Sequence, residues 1–318
     1  MTDTINILCA TDANYIPYCG VMLTSLFENN KDEKIVVYVM TQDPTSPSFE
    51  SYRKLADKYN QTIILIGVSQ DVLEKNNAKV AGHISIATYF RLFAANLLPA
   101  DIDKILYLDG DLIVNGKLRD LYTKDITNYA ISGAIDCLYF DEDIYSRLDY
   151  DKDLSYFNAG VVLINLKWWR EHAVLEAFMS YLAEKYAALR YFDQDVLNKV
   201  LLGNVDYFPI TYNFQYYYVV KSHWQHYSKE LQSQIREVAA NPVVIHYCGP
   251  LKPWHYRYVG RMKNDLWWKY EKLSMWEIHK IYKPYMKSFK WYVKRVLYTF
   301  RIRSKCKTIN VPEEFENL

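Results

Sequence analysis

Short β-rich runs alternate with helical segments along most of this chain. Residues 5–10, 35–40 and 62–67 form three such runs, and residues 15–27 and 48–59 between them have a helical pattern. Alternation of strand and helix signals predicts βαβ units and a largely parallel sheet. The sequence therefore predicts an α/β fold.

The same alternation continues further along the chain. We predict strands at residues 104–108, 130–135, 160–165 and 243–246, and helices at residues 87–98, 168–186 and 194–201. In open α/β sheets, ligands bind beyond the carboxyl ends of the strands. Polar residues directly after the predicted strands are therefore the candidates for a functional site.

Asp109-Gly110-Asp111 directly follows the apolar strand at residues 104–108. Two carboxylates there can hold a divalent cation through oxygen, and Gly110 allows a tight turn. Such a tripeptide alone is more often a turn, but the preceding strand favours a metal site. Phosphatases of the haloacid-dehalogenase type also place Asp-x-Asp after a strand. In them a Thr or similar residue follows closely, whereas Leu112 and Ile113 follow here.

His246 is the candidate third metal ligand, although a His at a strand end can also be structural. It ends the apolar run at residues 243–245 and precedes a loop with Gly249 and Lys252. Gly249 would let the backbone approach a diphosphate, and Lys252 would supply a compensating charge. Carboxylates with an imidazole suit Mn²⁺ at least as well as Mg²⁺.

The polar turn at residues 11–15 follows the first predicted strand. Asp12 could accept a hydrogen bond from a uracil N–H, and Tyr15 could stack on the base. Asp and Asn also favour helix N-caps, so the turn has a structural interpretation as well. Both interpretations are compatible, and both remain open at this point.

Cysteine usage and the N-terminal residues indicate a cytoplasmic protein. The five cysteines are scattered, odd in number and without metal-type spacing, which predicts reduced thiols. The first residues lack a basic region followed by an apolar run, so we expect no signal peptide. No apolar run approaches the length of a membrane span.

The C-terminal region is strongly basic and aromatic. Residues 252–307 hold 16 of the chain's 38 Lys and Arg but only three of its 37 Asp and Glu. A basic helix with Trp and Phe on its other face can lie on an anionic membrane. The alternative is a helical cap that packs on the preceding domain. We expect no nucleic-acid partner, because no module of that kind is visible.

Six motifs together resemble glycosyltransferase family 8, especially bacterial lipopolysaccharide galactosyl- and glucosyltransferases. They are ATDANY at residues 10–15, HISIATYFR at 83–91, ILYLDGD at 105–111, YFNAGVV at 156–162, DQDVLN at 193–198 and HYCGPLKPW at 246–254. The resemblance implies the GT-A fold, a Rossmann-like α/β sandwich, over residues 1–254. Residues 255–318 would form a helical, basic and aromatic extension.

The resemblance also implies roles for matching residues. Asp109, Asp111 and His246 would hold the metal, and Gly249 and Lys252 would contact the diphosphate. The implied nucleotide and donor-sugar contacts are Ala10, Asp12, Asn14, Tyr15, His83, Arg91, Gly110, Asn158, Ala159 and Gln194. The implied catalytic candidates are Gln194, Asp136, Asp193, Asp195 and Arg91.

The implied reaction transfers a hexose from UDP-galactose or UDP-glucose to a saccharide acceptor, with retention of anomeric configuration. Gln194 is a poor nucleophile, which favours front-face attack, while Asp136 or Asp195 could serve in a double displacement. The sequence leaves the mechanism, the donor sugar, the acceptor and the oligomeric state open. A nucleotide-sugar binding protein without transfer activity is the remaining alternative.

Overall fold

The structure is a computed structural model that describes residues 4–68, 86–151, 153–255, 263–280, 312 and 315. Its strands are β1 Ile5–Ala10, β2 Ile35–Thr41, β3 Thr62–Gly67, β4 Lys104–Leu108, β5 Leu112–Val114, β6 Ile131–Ile135, β7 Phe157–Asn165, β8 Val205–Tyr207, β9 Phe214–Gln215 and β10 Val244–His246. Strands alternate with helices, so the predicted α/β class is confirmed.

Seven strands form the main sheet, in the order β3-β2-β1-β4-β7-β6-β8. All neighbours are parallel except that β7 runs antiparallel to both β4 and β6. The carboxyl ends of β1, β4 and β6 therefore lie at the same edge as the amino end of β7. That edge brings together Asp12, Asp109, Asp136 and Asn158, which follow or begin these strands.

A second sheet of three strands, in the order β5-β10-β9, lies beside this edge. Strand β5 is antiparallel to β10, and their register pairs His246 with Leu112. Asp111 directly precedes Leu112, so this register places the second Asp of the tripeptide next to the predicted histidine ligand. Backbone pairing thus accounts for the approach of two residues that are far apart in sequence.

The helices agree with most predicted segments but not with two of them. The α-helices are Ile16–Asn29, Glu50–Tyr59, Ala94–Leu97, Arg119–Thr123, Glu142–Leu148, Leu166–Glu171, Val174–Lys185, Asp193–Val200, Lys221–Trp224, Lys229–Val238 and Asn264–Leu273. The helix predicted at 87–98 is mostly a 3₁₀ helix, Ile86–Phe93. The helix predicted at 168–186 is broken in two, because Ala173 takes a left-handed conformation with φ of 47°.

Both faces of the main sheet are covered by apolar side chains. Along β4, Ile105 and Tyr107 belong to one buried cluster, whereas Leu106 and Leu108 belong to another on the opposite side. Successive side chains of a strand point to opposite faces, so β4 is buried on both. A sheet covered on both sides is typical of parallel α/β folds and leaves strand ends as the exposed polar edge.

Part of the predicted C-terminal extension packs against the α/β region. The helix Asn264–Leu273 buries Trp267 and Tyr270, and Asn29 Nδ2 donates to Tyr270 Oη at 2.7 Å. Trp276 lies so close to Gly20 that a Cβ there would be 2.3 Å from its ring. The division into domains at residue 254 stays a prediction. The later basic and aromatic residues, 281–311, lie outside the described residues.

Two further observations bear on the sequence-based expectations. The described cysteines, Cys9, Cys19, Cys137 and Cys248, are free thiols. Among the described helices, none has both the length and the apolar character needed to cross a membrane.

Candidate functional site

The three predicted metal ligands come together at the sheet edge. One ligand atom from each of Asp109, Asp111 and His246 lies within 4.8 Å of the others. His246 Nε2 is 3.3 Å from Asp111 Oδ1 and 3.8 Å from Asp109 Oδ2. Two carboxylates and an imidazole form a donor set that suits Mn²⁺ or Mg²⁺. The arrangement fits the predicted metal site.

His246 is held in one orientation by two buried amides. Its Nδ1 is 3.1 Å from Asn158 Oδ1 and 3.0 Å from Asn213 Oδ1. Both partners are acceptors, so Nδ1 carries a proton and Nε2 faces the carboxylates, as expected of a metal-ligating histidine. Gly160 leaves room for the ring, because a Cβ there would lie 2.1 Å from Cε1 of His246.

Two cations neutralise the carboxylates of this cluster. Arg91 donates to Asp109 Oδ1 at 2.7 Å and forms an ion pair with Asp193 at 2.9 Å. Its guanidinium also lies 3.9 Å from the ring centre of Tyr107. Lys252 forms a salt bridge with Asp111. Each Asp of the tripeptide therefore has its own positively charged partner from a different segment.

Burial and charge shift the protonation equilibria of these groups. Burial raises the pKa of Asp111, but the positive charges of Lys252 and His246 lower it by more than burial raises it. The net pKa of Asp111 therefore lies below its ordinary value. Burial lowers the pKa of His246, yet Asp111 raises it more, to about 9. Burial raises the pKa of Asp193 to about 7, although Arg91 acts in the opposite direction.

Two cavities meet at the cluster of candidate metal ligands, and both are lined by Arg91, Asp109, Asp111 and Asp193. The smaller, of about 260 Å³, is also lined by Ala10, Thr11, Asp12, Tyr15, Ala87, Thr88, Tyr107 and Gly110. The larger, of about 560 Å³, includes Asp136, Asn158, Ala159, Gln194, His246 and Gly249 in its lining. Most of the predicted nucleotide and sugar contacts thus border one continuous region.

The turn after β1 combines its two sequence-based interpretations. Asp12 Oδ1 accepts hydrogen bonds from the backbone N–H of Asn14 at 2.9 Å and of Tyr15 at 3.1 Å, which organises the start of the helix. Asp12 and Tyr15 also line the smaller cavity. Asn14 is exposed and does not belong to the described cavity lining, unlike the other predicted residues of this turn.

Two amide side chains, Asn158 and Gln194, belong to the lining of the larger cavity and share a hydrogen-bond network. Gln194 Nε2 donates to Asp136 Oδ2 at 3.0 Å, and Asn158 Nδ2 donates to the same oxygen at 2.9 Å. The backbone N–H of Ala159 donates to Gln194 Oε1 at 3.0 Å. This network fixes the amide of Gln194 beside the Asp136 carboxylate.

The loop after β10 approaches the larger cavity through Gly249. This residue has φ of 86°, a conformation that strains any side chain, and a Cβ there would be 2.8 Å from Tyr217 Oη. Only glycine fits this position without displacing the tyrosine. From the same loop, Lys252 donates to Asp111 and to the backbone carbonyl of Tyr247.

Asp195 differs from the other predicted catalytic residues. It is completely buried, and the described lining of the two cavities does not include it. Arg147 and the hydroxyl of Tyr156 donate to it. His83, another predicted contact, lies outside the described residues.

Asn213 and Gln215 each contact a residue that lines the larger cavity, but the sequence-based prediction does not include them. Both are fully buried; Asn213 contacts His246 and Asn158, and Gln215 accepts from the backbone N–H of Cys137 at 2.9 Å. Two amides that alternate with aromatic residues at 212–218 were the available signal. Buried amides within an apolar run indicate a polar partner.

Comparisons with known proteins agree with this geometry. The chain is 32% identical over 256 residues to a lipopolysaccharide 1,2-glucosyltransferase of Escherichia coli K12, covering 80% of this chain and 74% of the relative. It is 26% identical over 260 residues to a lipopolysaccharide 1,3-galactosyltransferase of Salmonella typhimurium LT2, covering 80% and 74%.

A solved structure shares the fold. The galactosyltransferase LgtC, in complex with donor and acceptor sugar analogs, superimposes with a TM-score of 0.73 at 27% identity, covering 86% of this chain and 97% of that one. The GT-A fold implied by the sequence motifs is thereby confirmed. Residues 6–257 match the family described as glycosyl transferase family 8, and the chain therefore belongs to that family.

Proposed function

We propose that this glycosyltransferase moves galactose or glucose from its UDP-sugar to a saccharide acceptor, with retention of anomeric configuration. The observation that carries the proposal is the convergence of Asp109, Asp111 and His246 where two cavities meet. One cavity is lined by Ala10, Asp12 and Tyr15, which are predicted to hold the nucleotide. The other contains the residues predicted to surround the sugar.

The donor set supports Mn²⁺ or Mg²⁺ as the cofactor, which when bound would stabilise negative charge on the departing diphosphate. Lys252 is the protein's own contribution to that stabilisation, because its ammonium already lies at Asp111. Gly249 lets the backbone of the same loop approach the diphosphate. Asp12 and Tyr15 would hold the uracil at the other end.

The sugar-side geometry supports front-face attack over double displacement. Gln194 and Asp136 both line the larger cavity, but the Asp136 carboxylate accepts hydrogen bonds from Gln194 and Asn158. Those hydrogen bonds reduce its nucleophilicity and fix the Gln194 amide. Asp193 and Arg91 would orient the donor, since both border the two cavities.

The fold and the site residues argue against the two alternative functions that the sequence left open. The GT-A fold excludes the haloacid-dehalogenase type of phosphatase. A binding protein without transfer activity would have no need of the complete set of metal-ligand, cation and amide residues. The activities of the two relatives, glucosyl and galactosyl transfer to lipopolysaccharide, favour a hexose donor. The acceptor would be a sugar of a glycolipid, a polysaccharide or a glycoprotein glycan.

Donor hydrolysis tests this proposal without knowledge of the acceptor. UDP release would be measured from UDP-galactose and from UDP-glucose, each with Mn²⁺ and with EDTA. We expect slow release from one donor that requires metal, and NMR of the first-formed sugar should show the α-anomer of the donor. Failure of UDP to bind in the presence of Mn²⁺, or release of the inverted anomer, would contradict the proposal.

We also propose contact with an anionic membrane surface, on the cytoplasmic side. The described part of the extension supports it: Lys280 lies 5.2 Å from the ring centre of Trp268, and Leu273 and Met275 are each 39% exposed. Lys269 and Lys272 belong to the same exposed region. Sedimentation with phosphatidylglycerol vesicles should exceed that with phosphatidylcholine vesicles and fall with salt. Equal sedimentation with both would argue for the packing alternative.

A further inference from the structure

A strained turn precedes the helix that carries Asp193 and Gln194. Phe192 has φ of 49° and ψ of −115°, and the N–H of Gln194 donates to the carbonyl of Tyr191 at 3.0 Å. These angles are those of the first central position of a type II′ turn, where glycine is the usual residue. A phenylalanine keeps such a conformation only where the surroundings enforce it.

The Asp195 carboxylate supplies that enforcement. Its Oδ2 accepts from the backbone N–H of Arg190 at 2.8 Å and of Tyr191 at 2.9 Å, the two residues before Phe192. Oδ2 also accepts from Arg147 Nη1 at 2.8 Å, and Oδ1 accepts from Tyr156 Oη at 2.6 Å. Asp195 is 0% exposed, so no solvent competes for these bonds.

The turn determines where two site residues lie. Directly after Phe192, Asp193 forms its ion pair with Arg91 at 2.9 Å. Gln194 Oε1 then accepts from the N–H of Ala159 at 3.0 Å. If the turn relaxed, both side chains would leave these positions. Asp195 itself lines neither described cavity, and its carboxylate accepts hydrogen bonds from Arg147, Tyr156 and the turn backbone.

We propose that Asp195 is a positioning residue: with Arg147 and Tyr156, it holds the strained turn at Phe192 that presents Asp193 and Gln194 to the donor. The inference rests on the proposed function, because it assigns a role within that reaction. It also explains why a buried carboxylate that lines neither described cavity lies one residue from the sugar site.

A double-mutant cycle between Asp195→Ala and Phe192→Gly tests the inference through the rate of metal-dependent UDP release. Glycine adopts the turn without strain, so it makes the restraint unnecessary. We expect Asp195→Ala to slow release by about 10- to 100-fold in the wild-type background, in line with strain of this kind. In the Phe192→Gly background the same change should cost less than about threefold.

If Asp195 were the nucleophile instead, its loss would cost the same factor in both backgrounds. That result would overturn the inference. A wild-type protein that fails to bind UDP in the presence of Mn²⁺ would instead contradict the proposed function. The two failures are therefore distinguishable.

Tyr156→Phe provides a second test should Asp195→Ala fail to fold. It keeps the carboxylate but removes one hydrogen bond to it. If Asp195 is a positioning residue, Tyr156→Phe should slow UDP release severalfold and accelerate amide hydrogen exchange at Arg190 and Tyr191. A nucleophile would become more reactive, so an unchanged or higher rate with unchanged exchange would contradict the inference. Tyr150→Phe is the control, because the Tyr150 hydroxyl bonds Ser155 rather than Asp195.

Discussion

Residues around the predicted metal position are joined by ion pairs, whereas those around the predicted sugar position are joined by amide hydrogen bonds. The ionic cluster consists of Arg91, Asp109, Asp111, His246 and Lys252. The amide cluster consists of Asp136, Asn158, Gln194 and Asn213. The two clusters meet where His246 Nδ1 contacts Asn158 and Asn213.

This difference indicates that the two clusters have different functional roles. Ion pairs are weakly directional, so Lys252 can exchange Asp111 for another anion when a divalent cation binds. Amide hydrogen bonds are directional and fix the position of each atom. We therefore expect the ionic cluster to determine metal and UDP affinity, and the amide cluster to determine the rate of sugar transfer.

The largest expected effect comes from removing a proposed metal ligand. Asp111→Asn should lower metal-dependent UDP release by more than about 100-fold, since even outer-shell partners of metal ligands contribute 10- to 100-fold. Release from UDP-galactose and UDP-glucose at saturating Mn²⁺ is the measurement. Asp32→Asn is the matched control, because Asp32 is an exposed residue that pairs with Lys117. A variant with wild-type release would dismiss Asp111 as a ligand.

Gln194→Ala should separate the two clusters. We expect kcat for donor hydrolysis to fall by about 100-fold, because an oriented dipole beside the developing charge is lost. UDP affinity in the presence of Mn²⁺ should stay within about threefold, since the ionic cluster is intact. Calorimetric titration and steady-state kinetics on one preparation compare the two quantities. An equal loss in kcat and in UDP affinity would show that the two clusters act as one functional unit.

Asn213→Ala tests the contact between the two clusters at His246. It removes one of the two acceptors that orient His246, so Mn²⁺ affinity should fall by about 10-fold. Electron paramagnetic resonance of free Mn²⁺ measures that affinity directly. Asn115→Ala serves as the control, because Asn115 bonds Asn241 instead. If both variants bound Mn²⁺ like the wild type, the amide orientation of His246 would be irrelevant to the metal.

A smaller effect concerns pH. In the metal-free protein the net pKa of His246 is about 9, so the imidazole is protonated near neutrality. A metal ligand must be neutral, so binding releases a proton, and Mn²⁺ affinity should rise with pH by up to about tenfold per unit below that pKa. Titrations in buffers of different ionisation enthalpy would detect the proton. An affinity independent of pH would contradict this assignment.

The sequence predicted the bounds of several strands better than those of the helices. The strands predicted at 5–10, 62–67 and 104–108 match β1, β3 and β4 residue for residue, because alternation of apolar runs is a strong signal. The break at Ala173 could not be predicted. An alanine with positive φ carries no local signal, and only tertiary packing explains it.

The proximity of the candidate metal ligands was predictable, because several motifs reinforced one another. Asp109, Asp111 and His246 came together as expected, since each follows or ends a strand at one edge. Asn213 was not predicted, because the alternation of amides and aromatic residues at 212–218 does not show which partner a buried amide contacts. The placement of Asp195 also required the structure, since adjacency to Gln194 in sequence does not show that Asp195 is fully buried and lines neither described cavity.

Calorimetric titration of UDP into the wild-type protein and Asp111→Asn, each with Mn²⁺ and with EDTA, tests the central claim most directly. It requires neither the acceptor nor the identity of the donor sugar. We predict that UDP binds the wild type with Mn²⁺, and that EDTA and the Asp111→Asn substitution each remove most of that affinity. Equal UDP binding with Mn²⁺ and with EDTA would contradict a nucleotide site organised by a metal ion at Asp109, Asp111 and His246.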